Sequence, residues 1–260
     1  MSVLLDILAY NTHYNAIYNN LSINEMFLDS ARKRNSVVSK ARELGYRPQS
    51  AKCSTATVNI KCSRVTNNSI QYAIPTGTPF TTTINGVTYT FYTISDLLSP
   101  TTTSSTYTFS NVTLIEMSTQ INNKYIVADG ARYLIQNPNA DLSTLTVKVQ
   151  DYAGSSNITP YTSADNIVNI DGTTKVYWIK ELDDNLYEIS FGNGIIGKQL
   201  TNGNVINLSY SISSLDGPNG ANIFNFTGVP QTGISYSATT TSPASGGSLP
   251  EDIEIGRAHV

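Results

Sequence analysis

Residues 192–198 carry the spacing Gly-x-x-x-x-Gly-Lys, which in a phosphate loop cradles an anion with backbone amides and a lysine. Gln199 stands where such a loop needs Ser or Thr to bind magnesium, and no helical pattern follows. Without a helix N-terminus the loop loses much of its attraction for phosphate. Asp183 and Asp184 could supply the two carboxylates of a glycoside hydrolase. They are adjacent on an expected turn, however, where Asp is favoured for its local hydrogen bonds. Asp216-Gly-Pro-Asn-Gly220 begins like a calcium loop but lacks the repeated oxygen ligands and terminal Glu. His13 lies inside a helical stretch and cannot form a His-rich metal site by itself. A Ser-His-Asp system would need that same histidine, and there is no Gly-x-Ser-x-Gly elbow. Cys53 and Cys62 are nine positions apart, so on one strand they face opposite sides and read as packing residues. No catalytic, cofactor-binding or metal site is expected, and no enzyme activity.

The elements around these residues divide sharply. Leu4, Ile7, Leu8, Tyr14, Ile17, Tyr18 and Leu21 follow the i, i+3, i+4 rhythm of an amphipathic helix. Ser22-Ile-Asn-Glu25 reads as a capping box that opens a second helix toward Lys33, burying Met26, Phe27 and Ala31. Ser36 would cap a third, carrying Val37, Val38, Ala41 and Leu44, stopped by Gly45 and Pro48. From Ser54 the period becomes two: Val58, Ile60 and Cys62 alternate with polar residues. Asn85-Gly86 marks a hairpin, residues 97–105 a surface loop, and Leu145, Val147 and Val149 a half-buried strand. Arms at 175–180 and 186–191 form a further hairpin around Asp183-Asp184-Asn185, and a strand at 205–212 follows Asn202-Gly203. The predicted class is α+β, with a helical segment ahead of a mostly antiparallel β body of one or two sandwich-like domains.

Composition agrees. Only 13% of the 260 residues are charged, against about 25% in ordinary domains. Thr, Ser, Asn and sixteen Tyr take their place, a mixture suited to pleated surfaces and turns. The charge is uneven. Residues 31–64 hold nine of the sixteen basic residues and a single acid, Glu43, although the whole chain is net −3. Such a division suits head-to-body contact between subunits, an acidic partner or a solvated helix face. Aromatic residues do not interleave with these charges, which argues against nucleic acid. No secretory signal or apolar run of membrane-spanning length is visible, and two cysteines suit folding in a reducing cytoplasm.

The expected organisation is a helical docking segment at 1–48 and β-rich parts at 49–110 and 111–237. A Thr-, Ser-, Pro- and Gly-rich linker at 238–253 would lead to a further domain. Residues 254–260 resemble the translation of a sequencing adapter, which implies a natural chain continuing past that point. Arg257 and His259 are therefore set aside.

Three stretches carry a resemblance to a known family. The first is the helical opening, with Asp6-Ile-Leu-Ala-Tyr-Asn, Asn24-Glu-Met-Phe-Leu-Asp and Leu44-Gly-Tyr46. The second is Arg132-Tyr-Leu-Ile-Gln-Asn-Pro-Asn-Ala-Asp141 with the strand after it. The third is Tyr187-Glu-Ile-Ser-Phe-Gly-Asn-Gly194 through Asn202-Gly203 to Tyr210. Together they resemble the baseplate wedge subunits of contractile-tailed bacteriophages, the baseplate J-like group. Relatives often read Phe-Gly-Asp-Gly in the third stretch; Asn193 replaces that acid here, which a turn tolerates and a metal ligand would not. The resemblance implies a structural virion protein of the tail baseplate, made in the host cytoplasm. Its implied partners are other wedge proteins and a second copy of itself, with no small molecule, nucleic acid or membrane. The residues expected to dock are Leu4, Ile7, Leu8, Tyr14, Ile17, Tyr18, Met26 and Phe27. The alternative is a carbohydrate- or receptor-binding tail protein, which would need a Tyr- or Trp-lined groove around Trp178.

Overall fold

The computed structural model describes residues 2–46, 48–66, 68–164, 169–182 and 186–252. Helix α1 (Ser2–Asn24) comes first, then α2 (Arg34–Glu43). The strands follow as β1 (Thr55–Arg64), β2 (Ala73–Ile74), β3 (Pro79–Ile84), β4 (Val87–Thr93), β5 (Leu97–Leu98) and β6 (Thr106–Glu116). Next come β7 (Thr119–Ile126), β8 (Tyr133–Ile135), β9 (Ala140–Gln150), β10 (Ile158–Ser163), β11 (Val176–Glu181) and β12 (Tyr187–Phe191). The last three are β13 (Val205–Ile212), β14 (Asn225–Phe226) and β15 (Ile234–Ser245). The α+β class holds.

The helical segment differs from expectation in two respects. Helix α2 starts at Arg34, so Ser36 lies inside its first turn and does not cap it, and the expected second helix does not form. With no Gly or Pro between 2 and 24, α1 runs unbroken through Ser22, so the capping box does not open a second helix. Residues 25–33 form turns instead. Met26 and Phe27 are exposed while Ala31 is buried. Gly45, at φ +85°, ends α2 as expected, with the Tyr46 amide donating to the Ala41 carbonyl at 2.8 Å.

The β body consists of two large sheets. The first runs β14-β3-β4-β6-β1-β15 and the second β7-β13-β9-β10-β11-β12-β8; β2 and β5 make a small separate pair. Every pairing is antiparallel except β10 with β11. Both sheets curl so that their end strands approach. In the first, Phe226 of β14 stacks on Tyr236 of β15 with centroids 4.4 Å apart. In the second, the Tyr125 hydroxyl of β7 donates to the Leu134 carbonyl of β8 at 2.6 Å. Each sheet encloses its own core, Val58, Ile60, Phe80, Phe91 and Leu114 in one, Ile135, Val147, Ile189, Ile206 and Leu208 in the other.

The topology departs from a linear division of the chain. The second sheet is built from 119–212 and is inserted between β6 and β14 of the first. Residues 234–245 form β15 and pair along β1 from Thr55↔Ser245 to Arg64↔Ile234, although 238–245 were expected within a linker. Thr and Ser are common on such a half-exposed strand because their β-branched or small side chains fit the pleat. Residues 97–98 also pair, with β2, where only loop was expected.

Where the chain crosses between sheets, each side lends the other a buried carboxylate. Glu116, the last residue of β6, accepts from the Ser214 amide at 3.1 Å and its hydroxyl at 2.7 Å. Asp141 of β9 accepts from the Cys53 amide at 2.8 Å, just ahead of β1. Burial pushes the Glu116 carboxyl up, and the Ser214 bonds pull it partly back. Asn219 adds a third tie, taking the Ser54 hydroxyl and bonding Gly247 through both amide and carbonyl.

Candidate docking surface

The residues with chemical potential are absorbed by the fold. The Asn193 side-chain oxygen accepts from the amides of Ile195 and Ile196, both at 3.0 Å, closing an Asx turn. The remaining amides of this loop also point inward: Gly194 donates to the Gly197 carbonyl, Gly197 to Asp171 and Lys198 to Thr174. A phosphate-cradling nest needs those donors free, so the Gly-x-x-x-x-Gly-Lys spacing is turn chemistry. The Asp216–Gly220 stretch is likewise a turn, clamped by Asn219. Asp183, Asp184 and Asn185 lie outside the described residues, as do Arg257 and His259; the arms beside the former pair as expected, Glu181 opposite Tyr187. Cys53 and Cys62 are free and buried; burial pushes both thiols up, Cys62 to about 11. Trp178 packs toward Gly197, where a Cβ would sit 3.0 Å from its ring. Among the described residues no group of three or more His, Cys, Asp or Glu could hold a metal ion, and no helix is long and apolar enough to cross a membrane.

Part of the basic segment is also spoken for. Arg34 pairs with Glu181 of β11 and donates to the Glu251 carbonyl, which ties α2 to the second sheet and to the chain's end. Arg64 is buried, its guanidinium donating to the carbonyls of Asn68, Thr102 and Ser104.

Helix α1 is different in kind. Every residue from 3 to 24 is exposed. At ~1.5 Å per residue the helix is about 35 Å long. Leu4 is 75% exposed, Ile7 64%, Leu8 62%, Tyr14 40%, Ile17 42% and Tyr18 61%. Met26 and Phe27 lie just past the helix end, also exposed. The i, i+3, i+4 reading of the sequence overlooked part of the pattern. Val3, Ile7, Tyr10, Tyr14, Ile17 and Leu21 follow one another by alternating steps of four and three, six successive a and d positions of a heptad. Leu4 and Tyr18 flank that seam, and Leu8 lies further round. Tyr10, Tyr14 and Tyr18 stack along the helix, with centroids 4.5 and 6.1 Å apart. The missing signal was present in Val3 and Tyr10, which join Ile7, Tyr14, Ile17 and Leu21 to complete the heptad.

Residues 1–46 match the family model of the baseplate wedge protein gp6-like helical domain. Across 98% of its length the chain is 26% identical to the baseplate wedge protein gp6 of Enterobacteria phage T4. The chain is similar to the gp6-like baseplate wedge proteins. The family match runs from α1 through α2 to the residue after Gly45, so it takes in both the exposed helix and one with a buried face. The chain spans 41% of the length of that T4 relative. A cryo-EM structure of the anti-feeding prophage (AFP) baseplate, 6-fold symmetrised, contains a chain matching 99% of this one and 45% of its own length. That match has 15% identity and a TM-score of 0.30, a superposition too loose to compare the folds.

Proposed function

We propose that this chain is a structural, non-enzymatic subunit of a phage tail baseplate wedge. In this reading α1 docks against helices of neighbouring subunits, a second copy of this chain among them, and the two β sheets act as spacer and contact surface. Kinship with wedge proteins supports the setting, and the heptad seam of α1 carries the mechanism. A 23-residue helix is marginal in water by itself, because helix stability in proteins comes mainly from packing an apolar face. Burying one Val, Leu or Ile side chain is worth ~1.5–3 kcal/mol. Six seam positions therefore offer on the order of 10 kcal/mol, enough to drive association after its entropic cost. Assembly into the virion would follow in the host cytoplasm.

Sedimentation of the chain over a range of concentrations, alone and with co-expressed tail proteins, tests this. The expected result is self-association or complex formation that Ile17→Asp abolishes while the β body stays folded. A monomer at all concentrations that also ignores its tail neighbours would overturn the reading.

A further inference from the structure

None of residues 3–24 of α1 is buried, so packing does not set its direction. The turn at 25–33 joins it to α2, and one residue in that turn bonds to both helices, to α1 through its backbone and to the start of α2 through its side chain. The Glu25 amide still donates to the Leu21 carbonyl at 3.1 Å, which continues the last turn of α1. Its carboxylate faces the other way. Oε1 accepts from the Arg32 amide at 2.9 Å, and Oε1 and Oε2 share the Lys33 amide at 3.3 and 3.2 Å. Lys33 immediately precedes α2, where helix amides have no partner within the helix and an acceptor is stabilising. The Ser36 hydroxyl, in the first turn of α2, also bonds this carboxylate. That bond and the one from Arg32 hold the carboxyl below its usual range, with the Lys33 charge adding a little. The far side of the turn is closed by the Ser30 hydroxyl on the Asn24 carbonyl at 2.7 Å and by the Ala31 amide on the Phe27 carbonyl at 2.9 Å. Ala31 is fully buried and anchors this end to the body.

We propose that Glu25 is a latch that sets the angle between α1 and the β body. A carboxylate carried on the end of one helix caps the start of the next, so the two meet at one angle instead of pivoting about the turn. This explains why a capping-type Glu occurs here although no helix begins at Ser22. The latch is a property of this chain alone and holds whatever α1 docks against.

Spin labels on Asn19→Cys, on the side of α1 away from the seam, and on Lys148→Cys, exposed on β9, report that angle by pulsed electron resonance. Cys53 and Cys62 are buried and stay unlabelled. Labelled protein is diluted into excess unlabelled protein so that only distances within one chain are read. The expected result is a narrow distance distribution that widens at least twofold in Glu25→Ala. Glu25→Gln, which keeps an acceptor oxygen without the charge, should fall between. The amides of Arg32 and Lys33 should also exchange about tenfold faster in Glu25→Ala, the loss expected from one charge-assisted hydrogen bond. Unchanged width and unchanged exchange in Glu25→Ala overturn the latch. Should Glu25→Ala unfold α2, Glu25→Gln decides: a distribution as narrow as the native one overturns the proposal, and a wider one supports it.

Discussion

Strand β1 and helix α1 treat apolar side chains in opposite ways. On β1, Ala56, Val58, Ile60 and Cys62 alternate inward and are at most 2% exposed, with neighbours from β6 and β15 on both sides. On α1, Val3, Ile7, Tyr10, Tyr14, Ile17 and Leu21 line up just as regularly and meet only water. On β1 the alternation specifies one buried face; on α1 the seam runs beside further exposed apolar residues, Leu4, Leu5, Leu8 and Tyr18. In the body that face finds its partner within the chain; in the head the seam does not. In the proposed function, regular patterning without an internal partner marks α1 as the element for assembly, in contrast to a strand that serves its own core.

Substitutions can break or sharpen this contrast. The largest effect belongs to the body: Phe91→Ala, at a fully buried site facing Phe224 edge-on, should cost about 3–5 kcal/mol in urea unfolding. A loss under 1 kcal/mol would mean that the first sheet is not a packed core. Next comes Gly192→Ala, where the new Cβ would lie 2.1 Å from the Gly197 carbonyl oxygen. The loop has to move, and a loss of about 1–3 kcal/mol is expected in the same assay. Gly45→Ala, at φ +85° with open space around it, should cost about 1 kcal/mol from backbone strain alone and loosen the end of α2. At the other extreme, Ile17→Ala should change the unfolding of dilute, monomeric protein by less than about 0.5 kcal/mol and yet weaken association. A large loss in the dilute monomer would show that α1 packs on its own body.

The joint between the sheets adds a pH dependence. Burial raises the folded-state pKa of Glu116 above its unfolded value. Its contribution to stability is therefore fully present below the unfolded carboxylate range and lost as pH rises through the raised value. Glu116→Gln removes that titration, so urea midpoints measured from about pH 4 to 8 should fall less toward high pH than those of the native chain. A steeper fall in the variant would contradict the assignment.

Local chemistry was readable from the sequence, and pairing between distant strands was not. Asn85-Gly86 takes positive φ at both residues and closes β3 to β4, as the dipeptide requires. The alternation of Leu145, Val147 and Val149 placed β9, and the 205–212 stretch matches β13. Nothing local, however, records that β1 takes β15 as a neighbour 172 positions away (Ser63 beside Ser235). The insertion of the second sheet was invisible for that reason. Glu25 was recognised as a capping residue, but for a helix expected to start at Ser22, whereas its carboxylate caps α2, which starts at Arg34. Within α1, reading by i, i+3, i+4 found Ile7, Tyr14, Ile17 and Leu21 and passed over Val3 and Tyr10, because those steps overlap the heptad without distinguishing it.

Amide hydrogen exchange across residues 3–24, followed as protein concentration rises and then with tail proteins present, tests the central claim most directly. If another polypeptide supplies the partner for α1, protection in this segment is slight in the dilute chain. It then climbs with association, while protection in β1 and β13 stays constant. Strong protection of α1 at every dilution would contradict the account, as would none in any mixture.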